Sequence, residues 1–314
     1  MGSYIVKRVF YGLVVMWMVA TLVFFMLRII PGSPILASLG VEGDPAAAAK
    51  IRHQLGLDQP LYLQYLVWFE RIFQGNLGNS LYGSHQPVSQ LIQQAFPRTM
   101  SLATLSFVIA LLLAVPAGII SAVKKHSLLD HSFTLAAFLG LSMPDFWLGI
   151  LLIMLFAVQL HWLPAIGYVS PSQGLWPWFS HLILPATAIG TAFSAIIARM
   201  TRSALLEVMQ EDYIRTARAK GLHENWVILK HALRNSLMPV MTVIGIAFAL
   251  LMAGTVIVEN VFAIRGLGRL LIISILQEDY PLVQGTLLVI AAIFVSINVL
   301  EDILYTYINP KIHY

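Results

Sequence analysis

Long apolar runs separated by short polar connections dominate the chain. They cover residues 9–30, 99–123, 133–160, 182–198, 237–258 and 283–304. Each lies near the ~20 residues that a helix needs to cross a hydrocarbon core. Isolated strands would leave backbone N–H and C=O groups unpaired in lipid, so the pattern predicts six helices. Pro144 interrupts the third run and Pro185 lies early in the fourth, where proline predicts a kink. The first run follows Lys7 and Arg8, as in a signal peptide. It is nevertheless long enough to span, and Pro31-Gly32-Ser33-Pro34 follows it in place of a small-residue cleavage site. It therefore predicts a retained helix.

Composition strengthens this reading. Hydrophobic residues make up 58% of the 314 and charged residues 11%, against about 25% charged in a soluble domain. Such a chain cannot cover a water-facing surface. Its fold class is all-α and polytopic. The absence of cysteine excludes disulfides, thiolate metal sites and a cysteine nucleophile. The formal net charge of +4 is small. In a membrane protein it reports orientation rather than nucleic-acid binding.

Lys and Arg are distributed unevenly among the connections. Lys7 and Arg8 precede the first run, and Lys124 and Lys125 follow the second. Arg199, Arg202, Arg215, Arg218, Lys220, Lys230 and Arg234 lie between the fourth and fifth, and Lys311 follows the sixth. With six spans all of these fall on one side, which the positive-inside rule makes the cytoplasm, with both termini there. The opposite side has residues 31–98, a loop at 161–181 without Lys or Arg, and a loop at 259–282. Lys50, Arg52, Arg71 and Arg98 lie in the long translocated segment, which the rule exempts. Trp162, Trp176 and Trp178 suit an interfacial belt. The chain thus divides into a first helix at 1–30, an extracytoplasmic segment at 31–98, a five-helix domain at 99–304 and a cytoplasmic tail at 305–314. Periodicity in "QYLVWFERIF" and turn signals in "GNLGNS" predict a partly helical cap within the extracytoplasmic segment.

The loop at 199–236 carries the most information. Apolar or small residues recur at Leu205, Met209, Tyr213 and Ala217, and again at Leu222, Trp226, Leu229, Leu233 and Leu237. Both sets fit a helical period. Gly221 falls between them, where a helix end commonly takes a left-handed residue, and Glu224 lies near the next helix start, where negative charge is favoured. The loop predicts helix, glycine turn, helix, the first continuing from span four and the second leading into span five. Thr216, Ala217 and Ala219 would let another protein approach closely. Alternatively, the hairpin lies on the inner membrane surface, its arginines on anionic lipid.

The same residues carry a family resemblance. "YIRTARAKGL" and "ILKHALRNSLMPV" resemble the cytoplasmic loop of permease subunits of ABC importers, in the branch that carries dipeptides, oligopeptides, nickel and glutathione. "YIVKRVFYGL" with "PGSP", "LGLDQPLYLQY", "GNLGNSL", "FLGLSMPDFWLG", "WLPAIGY", "HLILPA", "VENVFAIRGLGRLL", "DYPLVQG" and "YINPKI" extend the resemblance over almost the whole chain, in order. Ser33 departs from the usual "PGDP". The loop is similar to the importer motif Glu-Ala-Ala, three residues, Gly. Arg215, Thr216 and Ala217 take its first three places and Gly221 its last, without the acidic first residue.

The resemblance implies an inner-membrane subunit of type I importer fold that forms half of a translocation pathway. Residues 213–222, among them Tyr213, Arg218, Lys220 and Leu222, would dock as a short helix on a cytoplasmic ATPase. The implied partners are a second homologous permease, two ATPase subunits or domains, an extracytoplasmic substrate-binding protein and membrane lipid. ATP and Mg would reside on the partners, with no cofactor on this chain.

The remaining candidates are few. No G-x-x-x-x-G-K-[ST] loop is present, so a separate ATPase must supply the energy. Asp145, after Pro144, is the acid well inside a run. It either faces a pathway, or caps the kink or pairs with a partner helix. Glu301 and Asp302 near the inner end of span six suit packing against cytoplasmic helices. Glu259 with Arg265 or Arg269 forms an outer gate or a dock for a delivery protein, or consists of ordinary loop charges. The nine histidines lack the spacing of a preformed metal site, so no metal site is expected. A secondary transporter or channel would call for ion-relay residues or repeated halves, which one Asp and no repeat fit poorly. An intramembrane enzyme would call for a Ser/His or metal constellation, and none lies in the runs.

Overall fold

The computed structural model describes residues 2–29, 46, 49, 53, 56, 58–82 and 85–308. The Pro31–Pro34 motif, Lys50, Arg52 and Lys311 lie outside the described residues. Within them the chain is helical, with a single isolated bridge between Asn79 and Pro87. In chain order the helices are α1 (Gly2–Ile29), α2 (Leu61–Phe73), α3 (Val88–Val123), α4 (Leu128–Ser142), α5 (Asp145–Gln159), α6 (Leu175–Val208), α7 (Asp212–Ala219), α8 (Glu224–Val261), α9 (Leu267–Leu276) and α10 (Tyr280–Ile308). The second half of α5 (Ile153–Gln159) and residues Val227–Ala232 of α8 are π-helical.

Among the described residues, five helices are long and apolar enough to cross a membrane: α1, α3, α6, α8 and α10. The third apolar run behaves differently from the kinked helix that Pro144 predicts. It splits into α4 and α5, bent by 103° to one another, and makes a sixth span only as that pair. The reason is local. Proline pushes the preceding residue out of helical conformation, and Met143 is extended at φ −89°, ψ 126°.

The residues group into two compact units. One comprises Val9–Thr99 and Arg265–Ser296. Its core packs Val88, Ile92 and Ala95 of α3 with Leu267 of α9 and Leu282 of α10. Gly285 permits the approach, because a Cβ there would lie 2.5 Å from Val88 Cγ1. Asp279, fully buried, caps α10 by accepting from Leu282 N–H at 3.3 Å. It also accepts from Leu81 N–H at 3.2 Å and from the Ser80 hydroxyl, and so holds the residue 80–82 turn.

The other unit comprises Met1–Arg8, Met100–Ile264 and Ile297–Tyr314. Here α6 is central, with Leu182, Ala186, Ala188, Ile189 and Ile197 fully buried. Backbones meet closely at its glycine contacts. A Cβ on Gly190 would lie 2.7 Å from the Ser106 carbonyl oxygen of α3, and one on Gly118 of α3 would lie 2.6 Å from Thr201 Cβ. Small residues at the contact are how membrane helices gain dispersion, since lipid supplies no hydrophobic drive between them. Glu301 packs its carboxyl over Gly245, leaving no room for a Cβ there, and Asp302 pairs with Arg8 at 2.9 Å.

One polar site joins three of these helices. Asp130, in the first turn of α4, is 3% exposed. Arg202 near the end of α6 donates to both its oxygens at 2.8 Å, Nε to Oδ1 and Nη2 to Oδ2. The Ser121 hydroxyl near the end of α3, the His126 N–H (3.0 Å) and the Thr134 hydroxyl (3.5 Å) also donate to it. Removing one member of a buried pair strands the other charge, at a cost of about 3–5 kcal/mol. Asp130→Asn and Arg202→Met should therefore each lower the thermal midpoint of the detergent-purified chain. The Asp130→Leu/Arg202→Met double variant should recover part of the loss, and additive losses in the double would contradict this account.

Candidate functional site: the α7 hairpin

The predicted helix, turn, helix is present, but the first helix is broken. Instead of continuing through residue 219, α6 ends at Val208, and residues 209–211 turn before α7 begins at Asp212. Asp212 in the first turn and Arg218 in the last match the helix dipole. Gly221 has φ +78°, and a Cβ there would meet nothing within 4 Å. Its requirement is conformational rather than one of space. Arg218 then grips Glu224 across the turn, Nη2 to Oε1 at 2.6 Å and Nε to Oε2 at 3.1 Å. His223 caps α8 by accepting from Asn225 N–H at 3.3 Å.

Ala217 requires a correction. Read as facing a partner, it is instead 7% exposed, packed with fully buried Ile214 in a cluster with Ala122, Leu205, Val227 and Ala232. At 100° per residue Ile214 and Ala217 lie on one side of α7, and Asp212, Arg215, Thr216 and Ala219 on the other. All four are exposed, as are Tyr213, Arg218, Lys220 and Leu222. The small residues turned outward are thus Thr216 and Ala219. Arg215 Nη1 lies 3.3 Å from Asp212 Oδ1, and the Thr216 hydroxyl donates to the Asp212 carbonyl at 3.0 Å.

The second stripe is also inverted. Trp226 and Leu229 are each 61% exposed, whereas Val227, Ile228, Ala232 and Val240 are buried. Small residues make the tighter helix contact and take the buried side. The π-helical turn widens this part of α8, and Trp226 lies under Lys230 Nζ, 5.4 Å from the ring centroid. Asn235 Nδ2 donates to the Tyr213 hydroxyl at 2.8 Å, tying α7 to α8. Beside this bond opens a cavity of about 630 Å³. Lys230, His231, Arg234, Leu237, Met238 and Met241 of α8 line it.

Other candidates lie elsewhere. Pro144 is the N-cap of α5, and Asp145 occupies its first turn, Oδ1 accepting from Phe146 N–H at 2.8 Å. Its Oδ2 lies over Gly254 of α8, 3.1 Å from where a Cβ would stand. Glu259 is fully buried near the end of α8, so its side chain offers no exposed charge to a docking protein. Arg265 is exposed, its carbonyl accepting from Arg98 Nη1 at 2.8 Å, and Arg269 is half-buried on α9. Sequence reasoning missed Asp130 and Asn235, whereas Ala219, named among the small residues, does face outward. Only Asp130 left a local sign, standing three residues after the helix-capping Ser127.

Comparisons with known proteins agree with this architecture. Residues 114–314 match the family described as "binding-protein-dependent transport system inner membrane component", and residues 1–103 match its N-terminal counterpart. A putative peptide transport system permease protein of Brucella suis biovar 1 (strain 1330) is 45% identical over 314 residues, covering all of both chains. The glutathione transport system permease protein GsiC of Escherichia coli (strain K12) is 41% identical, again over all of both. Among solved structures, an inward-facing MetNI methionine ABC transporter chain superposes with TM-score 0.57 at 20% identity, over 70% of this chain and 97% of that one. An amino acid ABC transporter chain gives 0.52 at 16%, over 71% and 95%. At those identities the likeness concerns the fold. With its apolar helices, its α7 hairpin and both matches, the chain belongs to the family of binding-protein-dependent transport system inner membrane components, multi-pass permeases of ABC importers.

Proposed function

We propose that this chain forms half of the translocation pathway of an ATP-driven importer of peptides or glutathione-like solutes, and that α7 with Gly221 is where a cytoplasmic ATPase pushes. The solute class follows the names of the relatives. A metal chelate or nickel remains the alternative cargo by the same mechanism. The supporting observation is the division of α7 into two faces. Ile214 and Ala217 are sunk among the ends of α3, α6 and α8, while Asp212, Arg215, Thr216 and Ala219 face outward. An eight-residue helix braced in this way moves with the helices that brace it. Closure of two ATPases on ATP would displace α7 and rock α6 and α8 as rigid elements. Glu259, Arg265, Arg269, Pro144 and Asp145 are proposed as gate or pathway residues only in second place.

The two faces also weigh against a hairpin lying on lipid. Such a helix needs an apolar face for the acyl boundary, and the apolar face of α7 is already occupied within the protein.

The partnership is tested by reconstitution. In liposomes the chain alone should neither hydrolyse ATP nor transport. Import should need a second permease, two ATPase domains and a binding protein, and the molecule carried by the co-encoded binding protein identifies the cargo. Import by the chain alone on an ion gradient would refute the reading.

The docking face is tested by steric variants. Thr216→Trp and Ala219→Trp should leave abundance near normal, abolish import and weaken ATPase co-purification. Lys220→Ala should cost less, since exposed charge pairs contribute only ~0–1 kcal/mol. Gly221→Asn should be tolerated better than Gly221→Val, because Asn visits the left-handed region. Normal import by both Trp variants would remove α7 from the contact.

Orientation is tested on a cysteine-free background. Lys125→Cys should react with an impermeant thiol reagent only after permeabilisation, and Ser172→Cys in intact cells. The reverse pattern would place α7 on the wrong side for an ATPase.

A further inference from the structure

Among the described residues, α2 combines three features that the transport reading does not use. It is amphipathic, none of its residues is buried, and it packs on the end of a membrane span. The contacts are specific. Phe24 of α1, fully buried, lies 5.2 Å from Tyr65 and 5.3 Å from Trp68 between ring centroids. Phe25 stacks on Tyr65 at 5.9 Å and 19°, and the hydroxyls of Thr21 and Tyr65 are 2.8 Å apart.

These contacts fix a depth. The apolar stretch of α1 runs from Ile5 to Met26 with mean hydropathy 2.3. Thr21 stands five residues inside its end, about 7.5 Å along the axis at 1.5 Å per residue. A helix held against residues 21–25 therefore lies beside the apolar part of α1, not beyond it. Interfacial helices bury their apolar face by ~5–10 Å, which is the same range.

The unoccupied side of α2 has the matching chemistry. Tyr62, Leu66 and Phe73 are 69%, 60% and 84% exposed. At positions i, i+4 and i+11 they fall within about 40° of one another around the helix. Gln64 and Arg71 lie opposite. Leu22 and Met26 of α1, at the same level along its axis, are also exposed, 62% and 58%. A water-filled or polar environment would leave this whole stripe wet next to a lipid-facing span.

We infer that α2 is an interfacial membrane helix. It lies in the leaflet at the C-terminal end of α1, with Tyr62, Leu66 and Phe73 in the acyl region and Arg71 toward the headgroups and water. The aromatic contacts with Phe24 and Phe25 key it to α1, so the segment between the first two spans is anchored by lipid as well as by protein.

The chain has no cysteine, which permits a direct test. Leu66→Cys, Phe73→Cys and Arg71→Cys are spin-labelled in the assembled transporter in nanodiscs of E. coli polar lipid. Collision with oxygen and with nickel-EDDA is then measured. Leu66 and Phe73 labels should favour oxygen over nickel-EDDA by several-fold relative to Arg71, and addition of the binding protein should leave that ratio unchanged. Tyr62→Cys reports on the same stripe if either variant fails to assemble. Equal nickel-EDDA access at the stripe and at Arg71 would place α2 in water and overturn the inference. Protection from both reagents, or protection that appears only with the binding protein, would assign the stripe to a protein partner and overturn it equally.

Discussion

The carboxylate of Asp130 is the polar group on which the proposed docking end of the molecule depends. A charge this buried persists only when its lone pairs are used, and here Arg202, Ser121 and the His126 N–H use them. Those donors come from the ends of α3 and α6 and from the turn before α4. Satisfying one carboxylate therefore fixes the relative positions of three helix ends. Ala122 and Leu205, next in line on α3 and α6, then form the floor that receives Ile214 and Ala217. An isolated helix as short as α7 is marginal in water. It persists because this floor exists, and because Arg218–Glu224 and Tyr213–Asn235 tie it to α8.

Above that platform the unit is organised by close backbone approach. Gly118 and Gly190 bring α3 and α6 within a distance no Cβ would allow. Contacts of that kind have one geometry and resist sliding, which suits helices that are to move as bodies. The chain changes direction at Met143-Pro144, where α4 and α5 part by 103°. Asp145 sits at this break with its carboxyl over Gly254. A substituent on Gly254 would press on the break itself, which links the one acid inside the third apolar run to the geometry of α8.

The distribution of large apolar side chains follows from the solvent. Tyr62, Leu66 and Phe73 of α2 are all exposed, which the proposed interfacial position of α2 accounts for. In a bilayer the hydrophobic effect does not choose between a lipid-facing and a protein-facing leucine. What it does not decide, packing and polar satisfaction must. Small residues take the contacts, and bulk is left for the boundary.

The sequence by itself determined the chemistry of the surroundings and the punctuation of the chain. Apolar runs near the span length, sparse charge and biased Lys and Arg define a polytopic helical protein. The period of the 199–236 loop and Gly221 predict helix, turn, helix, because a glycine at positive φ is a local property. Tertiary structure alone decided which face of each helix is used. An apolar residue every turn marks a stripe, but in a membrane protein the stripe can face lipid, a partner or the core. Ala217 accordingly turned inward and Leu229 outward. Long-range pairs decided the rest. Asp130 and Arg202 are 72 residues apart, and no local pattern announces that one ends beside the other. Pro144 was legible as an interruption, yet the size of the bend depends on what α5 finds to pack against, on α6 and α8, and that information is not local.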